Sequence, residues 1–188
     1  MKNLLGVVLC GGESKRMGKD KGLLLKDDKP WAVLIAKKLR NIGLHVAISI
    51  NEKQQKAYSA IFPETPLIID QLPIEGPLDG LLSIHRSFPD NDILLMACDL
   101  IDMDETTLQT LIKSYADNLE HDYYVYQLNG FTQPFCAIYT AKGLTKVYKA
   151  FEENQLKKYS LHDRFESGDT LYLPVENEAV FKNYNKLE

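Results

Sequence analysis

The stretch Leu4-Leu5-Gly6-Val7-Val8-Leu9-Cys10-Gly11-Gly12-Glu13-Ser14-Lys15-Arg16-Met17-Gly18-Lys19-Asp20-Lys21 decides how the chain is read. Leu4–Leu9 is apolar on both faces, the pattern of a central strand covered from both sides. A polar, glycine-bearing loop follows at once. Lys15, Arg16, Lys19 and Lys21 crowd cations into a short span of a protein whose net charge is −4. Gly11, Gly12 and Gly18 let backbone N–H groups turn inward and approach an anion closely. A strand followed by such a loop suits a triphosphate. The spacing is neither a Walker A loop nor the dinucleotide Gly-x-Gly-x-x-Gly pattern. A merely solvated basic loop would have no need of two adjacent glycines.

Outward from this stretch, short β-branched runs alternate with segments of helical period, which is an α/β pattern. Strands are expected at His45–Ile50, Leu67–Ile69, Ile93–Cys98 and Thr170–Leu173. Tyr123–Leu128 and Gln133–Tyr139 flank an Asn129-Gly130 turn and read as a strand pair. Helices are expected from Pro30 to about Arg40, closed by Gly43, and over Glu52–Ile61. Others run from Pro77 to about Ser87, from an Asp104 cap to about Asn118, over Lys142–Asn154, and around Leu161–Phe165. With no repeat, low-complexity segment or linker, the expectation is one domain, residues 1–188, in three α/β/α layers around a mostly parallel mixed sheet.

Four of these strands end in a glycine or polar element: Gly11-Gly12, Asn51, Asp70 and Asp99. In an open parallel sheet, ligands bind outside the carboxyl ends of the strands. Asn51 and Asp70 read equally well as caps of the following helices. Asp99 leaves an apolar wall, Ile93 to Cys98 before it and Leu100-Ile101 after. A carboxylate there suits Mg²⁺, which takes one or two carboxylates together with waters and substrate phosphate oxygens. Gly76-Pro77 reads as a helix start. Gln133-Pro134 reads as an edge-strand feature. Tyr123, Tyr124 and Tyr126 serve either a second-substrate face or strand packing.

Length and composition set outer limits. The chain has 188 residues, 45% hydrophobic and 26% charged, so it can fold without disulfides or a structural metal. A pI near 5.6 disfavours nucleic acid and acidic membranes as partners. The run before Cys10 is too short for a secretory core, and no run approaches the ~20 residues of a membrane helix. Cys10, Cys98 and Cys136 lie in separate apolar segments without metal-ligand spacing. Buried free thiols in a reducing cytoplasm are expected. None of His45, His85, His121 and His162 lies in a motif, and each is expected to be surface or structural.

The loop resembles the signature Leu-Ala-Gly-Gly-x-Ser-x-Arg-Met-Gly-x-Asp-Lys of the molybdenum cofactor guanylyltransferases, which share the Rossmann-like nucleotide-diphospho-sugar transferase fold. The likeness continues in order. Gly76-Pro77-Leu78-Asp79-Gly80-Leu81 is similar to the family's Gly-Pro-Leu-x-Gly-Leu. Ala97-Cys98-Asp99 is similar to its Cys-Asp metal segment, Gln133-Pro134 to its Gln/His-Pro segment, and Asn183-Tyr184-Asn185 to its terminal Asn-x-Asn. The chain departs at Cys10, where the family has Ala, and at Leu100-Ile101-Asp102, where the family follows Asp with x-Pro.

The resemblance implies transfer of GMP from GTP to the phosphate of molybdopterin-bound molybdenum cofactor, with release of pyrophosphate. It implies Arg16, Lys21 and Asp99 as catalytic residues, with Asp99 also the Mg²⁺ ligand. It implies nucleotide contacts from Leu9, Cys10, Gly11, Gly12, Lys21, Asn51, Asp70, Gly76 and Asp99, with Asn183 and Asn185 completing the metal or phosphate shell. It further implies cytoplasmic work and transient contacts with other cofactor-biosynthesis or molybdoenzyme proteins. Such transfers need positioning and charge neutralisation more than covalent catalysis. Two alternatives stay open: a nucleotidyltransferase with a cytidylyl or sugar-phosphate specificity, and a nucleotide-binding homologue without turnover.

Overall fold

A computed structural model describes residues 3–11, 20–182 and 184. Its centre is β1 (Leu4–Leu9), every residue of which is buried. From residue 20 onward come a 3₁₀ turn (Lys21–Leu23) and a small hairpin, β2 (Leu25–Lys26) and β3 (Lys29–Pro30). Then follow α1 (Trp31–Asn41), β4 (His45–Ile50), a 3₁₀ turn (Glu52–Gln54), α2 (Gln55–Ile61), β5 (Leu67–Ile69) and α3 (Pro77–Ser87). The second half runs β6 (Asp92–Ala97), α4 (Glu105–Asp117), β7 (Tyr123–Leu128), β8 (Phe131–Tyr139), α5 (Ala141–Glu152), α6 (Leu161–Ser167) and β9 (Thr170–Pro174), before a last 3₁₀ turn (Glu178–Phe181).

The seven-stranded sheet has the order β5-β4-β1-β6-β8-β7-β9. β8 runs antiparallel to its neighbours β6 and β7, and the other pairings are parallel. The alternation along β1 assigns the layers. Leu4, Val8 and Cys10 pack in a core with Ile35 and Leu39 of α1, Tyr58 of α2 and Leu111 of α4. Leu5, Val7 and Leu9 pack in a second core with Leu81 of α3, Leu144 of α5 and Phe165 of α6. The three-layer α/β/α expectation therefore holds. The chain steps from β1 outward to β4 and β5, then returns to lay β6 on the other side of β1. Between β1 and β6 lies the switch point at which open α/β sheets bind ligands.

Several local expectations change. Pro30 heads α1 as expected, as its N-cap, and it also ends β3, a strand the sequence does not show. The preceding hairpin turns on Asp27 and Asp28, at φ 51 and φ 60. Glu52–Ile61 is a 3₁₀ turn running into α2 rather than one helix. Pro134 is not on an edge strand. β8 pairs with β6 only from Cys136 to Tyr139, so Pro134 lies past the end of that pairing, and on its other side the pairing with β7 shifts register between Val125 and Gln127, so a missing N–H is tolerated. Tyr123, Tyr124 and Tyr126 are buried, so they serve strand packing. His85 is buried, the structural of the two readings given for the histidines, and Cys10, Cys98 and Cys136 are buried free thiols as expected. Among the described residues, no helix is long and apolar enough to cross a membrane.

Candidate active site

The parallel strands β1, β4, β5 and β6 end together. Their ends carry Leu9, Cys10 and Gly11, then Asn51, Asp70 and Asp99, to one edge of the sheet. At the switch point, Lys21 Nζ donates to Asp99 Oδ2 at 2.9 Å. These residues lie 78 apart in sequence. Asp99 is only 9% exposed. A carboxylate so far out of water is tolerated because a cation neutralises it with a charge-assisted hydrogen bond.

The residues around this pair hold the loop's two ends. Cys10 N and Gly11 N both donate to Ser49 O on β4, at 2.9 and 3.1 Å. At the far end, Asp20 caps the 3₁₀ turn that carries Lys21, its Oδ1 accepting from Gly22 N at 3.0 Å. The same oxygen accepts from Tyr58 OH at 3.0 Å, and Oδ2 accepts from Gln54 Nε2 at 2.7 Å. Asp20 is thus an anchor for Lys21. In the sequence, Asp20 stands out only as part of the resembled signature. Gly12 and Arg16 lie outside the described residues, as do Asn183 and Asn185.

Asp70 accepts from Ser49 Oγ at 2.8 Å. Burial pushes its carboxyl up to about 7, against the opposing pull of the Ser49 hydrogen bond, and the nearby Asp79 charge adds to the rise. The approach to the loop is close: a Cβ at Gly11 would stand 2.0 Å from Asp70 Oδ2. A carboxyl whose folded pKa is raised binds more protons folded than unfolded, so stability is greatest below the unfolded value and falls as pH rises towards about 7. The Asp70→Asn variant is expected to lose this component. Thermal midpoints of the ligand-free protein from pH 4 to 8 should fall less steeply in the variant than in the parent. Parallel curves would remove Asp70 as the source.

Asn51 stands at the same edge. Its side-chain oxygen accepts from Gln54 N at 3.2 Å in a capping box, so the helix-cap reading is realised here. Gly76 has φ +88, a conformation in which side chains other than glycine's are strained, and Pro77 opens α3 behind it. Asp79 Oδ1 of α3 accepts from Leu72 N at 2.9 Å and from Ser83 Oγ at 3.0 Å, which ties the loop after Asp70 to the helix. Gly80 lets α3 lie against the strand ends. A Cβ there would meet Ser49 Oγ at 2.5 Å and Leu9 Cδ1 at 2.7 Å. Ala in place of Gly should gain up to about 1 kcal/mol of helix propensity. Overpacking typically costs about 1–3 kcal/mol. Gly80→Ala is therefore expected to be net destabilising in urea titration, and a more stable variant would contradict this packing.

On the other side of Asp99, Asp102 accepts from Lys26 Nζ at 2.9 Å and from Tyr184 OH. Those two hydrogen bonds, that of Tyr184 foremost, hold its carboxyl below the usual range. The Asp102 that stands near the expected Pro thus joins the β2–β3 hairpin and Tyr184 to the loop after Asp99. Next to this loop is a cavity of about 160 Å³ lined by Leu100, Thr132, Gln133, Pro134, His162 and Phe181, among others.

Comparison with known proteins decides the family. A family model described as the MobA-like NTP transferase domain matches residues 6–166. The chain belongs to that family. The MobA-like match spans both Lys21 and Asp99 and every described residue of the edge. A molybdenum cofactor biosynthesis bifunctional protein of Synechocystis sp. is 31% identical over 147 residues, 78% of this chain but 42% of its own length. The chain thus spans less than half of that relative. A probable molybdenum cofactor guanylyltransferase of Flavobacterium johnsoniae is 28% identical over 161 residues, covering 86% of this chain and 81% of the relative. Molybdopterin-guanine dinucleotide biosynthesis protein A from Archaeoglobus fulgidus has the same fold, with TM-score 0.76 at 18% identity over 96% of this chain and 91% of that one.

The MobA-like NTP transferase family commonly uses a divalent cation. Among the described residues, no group of three or more His, Cys, Asp or Glu could hold a metal by itself. A single carboxylate at the switch point fits a hard cation that takes its remaining ligands from water and substrate phosphates. Asp20 does not fit that role, because both of its oxygens already accept hydrogen bonds from the protein.

Proposed function

We propose that this protein transfers GMP from GTP to the phosphate of molybdopterin-bound molybdenum cofactor and releases pyrophosphate. The observation that carries the reading is the Lys21–Asp99 contact at the switch point, within a chain whose relatives are named for guanylyl transfer to this cofactor. Asp99 would hold Mg²⁺. When bound, Mg²⁺ supplies charge neutralisation on the phosphates and lines up the displacement. Lys21 releases Asp99 as the triphosphate enters and neutralises the leaving pyrophosphate; Arg16 offers a planar fork to the same oxygens. Leu9, Cys10, Gly11 and Gly12 line the nucleotide's path, and Asn51, Asp70 and Gly76 border the base and ribose. The cavity beside Leu100 would receive the acceptor, with Asn183 and Asn185 near the phosphates. The acceptor phosphate then attacks the α-phosphorus in line, and no covalent enzyme intermediate is needed.

The nucleotide half of this reading is tested by calorimetry with GTP, ATP, CTP and UTP in the presence of Mg²⁺. GTP should bind tightest. A site that pairs guanine's N1–H and N2 amine leaves buried groups unsatisfied when adenine enters, at about 1–3 kcal/mol per group. Equal affinity for ATP, or tighter binding of CTP, would remove guanine from the assignment.

A further inference from the structure

Gln54 is one of the few buried polar side chains, and it lies at the start of α2 rather than in the loop. Its Nε2 donates to Cys10 O at 3.0 Å and to Asp20 Oδ2 at 2.7 Å. Cys10 follows the last residue of β1 and Asp20 precedes Lys21, so a single amide nitrogen bridges Cys10 and Asp20, ten residues apart in sequence. The rest of the residue is equally committed. Oε1 accepts from Asn51 N at 2.8 Å, and the backbone N donates to Asn51 Oδ1 at 3.2 Å. Both donor hydrogens of the amide are used, and the orientation of the amide is set by Asn51. A carboxylate could not replace it, because Cys10 O and Asp20 both need a donor.

We propose that Gln54 is a positioning residue for nucleotidyl transfer, acting through Asp20 to hold Lys21 at Asp99. The chain of contacts is continuous. Gln54 and Tyr58 fix the Asp20 carboxylate from α2 and the turn before it, Asp20 caps the 3₁₀ turn through Gly22 N, and that turn presents Lys21 to Asp99 at 2.9 Å. Asn51 belongs to the same unit. Through the capping box, a ligand that contacts Asn51 also bears on the amide that steadies Lys21, so the base side and the phosphate side of the site share one element. The catalytic part of this inference rests on the proposed transfer reaction; the tethering part does not.

The test uses Gln54→Met, which keeps length but cannot donate, Gln54→Glu, and the exposed neighbour Gln55→Met as a control. Hydrogen exchange of the ligand-free protein reads the tether without any substrate. The amides of Gly22, Leu23 and Leu24 should exchange about tenfold or more faster in Gln54→Met, because a bond to a charged acceptor is lost. Those of α5 should be unchanged, and the control should match the parent. In transfer assays, kcat/KM for GTP should fall about tenfold or more while KM for the acceptor stays within about twofold. In a Lys21→Ala background the same substitution should cost little further, since the residue acts through Lys21. Gln54→Glu should recover as pH falls into the carboxyl range, when a proton on the new carboxyl restores a donor to Asp20. Parental exchange at Gly22–Leu24, or an undiminished loss in the Lys21→Ala background, would overturn the proposal. If the parent protein transfers nothing to molybdenum cofactor, the reaction assignment fails, whereas the exchange data still decide the tether.

Discussion

Asp99→Ala is expected to lower turnover by about a thousandfold or more while leaving a folded protein. The carboxylate closes the apolar run of β6, is 9% exposed, and stands at the switch point between β1 and β6. Metal-mediated charge stabilisation in phosphoryl transfer is worth several kcal/mol, and each ~1.4 kcal/mol is tenfold in rate. Folding should survive, because Lys21 keeps part of its side chain in solvent, where water can take the place of the Asp99 carboxylate. Asp99→Asn is the sharper version. It preserves shape but offers a neutral oxygen to both Lys21 and the cation, so its loss should approach that of Asp99→Ala. Steady-state rates across a Mg²⁺ titration read this out. Near-parental rates at saturating Mg²⁺ in either variant would show that the cation is held elsewhere.

Lys21→Ala should weaken triphosphate binding and turnover by about an order of magnitude more than Lys15→Ala or Lys19→Ala. Lys21 is fixed in space by the Asp20-capped turn and already makes a charge-assisted contact with Asp99. A cation fixed against a phosphate contributes about 1.5–3 kcal/mol. A solvated lysine adds only a field that salt screens within about 10 Å at 0.1 M. Lys15 and Lys19 occupy the variable positions of the resembled signature and lie outside the described residues. Raising ionic strength should therefore erase their small effects first and leave the Lys21 deficit. Equal losses in all three variants would make the loop a diffuse basic patch and withdraw the specific role of Lys21.

The elements that were legible in the sequence are those whose cause is local. Leu4–Leu9, His45–Ile50, Leu67–Ile69 and Pro77–Ser87 have the same ends in the structure, because apolar β-branched runs are terminated by Asn, Asp or Gly and a helix is opened by Pro77. The edge that gathers Gly11, Asn51, Asp70 and Asp99 followed from the parallel α/β rule. The Lys21–Asp99 contact was foreseeable as a shared site rather than as a pair. What escaped depends on pairing between strands. Pro134 is tolerated within an interior strand because the β6 pairing ends at Cys136 and the β7 pairing shifts register between Val125 and Gln127, which no local pattern records. The β2–β3 hairpin has two residues per strand, too few for alternation to show, and only the adjacent Asp27-Asp28 hinted at its turn. The Gln54 bridge joins residues 44 and 34 positions away, and it exists because β4 lies beside β1. Asn51 could be read from sequence as cap or ligand contact; the capping box realises the first without excluding it from the nucleotide's edge.

GMP transfer from GTP to an acceptor phosphate is the reaction proposed for the Lys21–Asp99 edge. Pyrophosphate release, measured with Mg²⁺ and each nucleotide in turn, with and without molybdopterin-bound molybdenum cofactor, tests it most directly. Stoichiometric pyrophosphate is expected only when GTP and the cofactor are both present, with a guanine dinucleotide as the second product. Release with CTP or with a sugar phosphate as acceptor, or no release under any combination while GTP still binds, would contradict it.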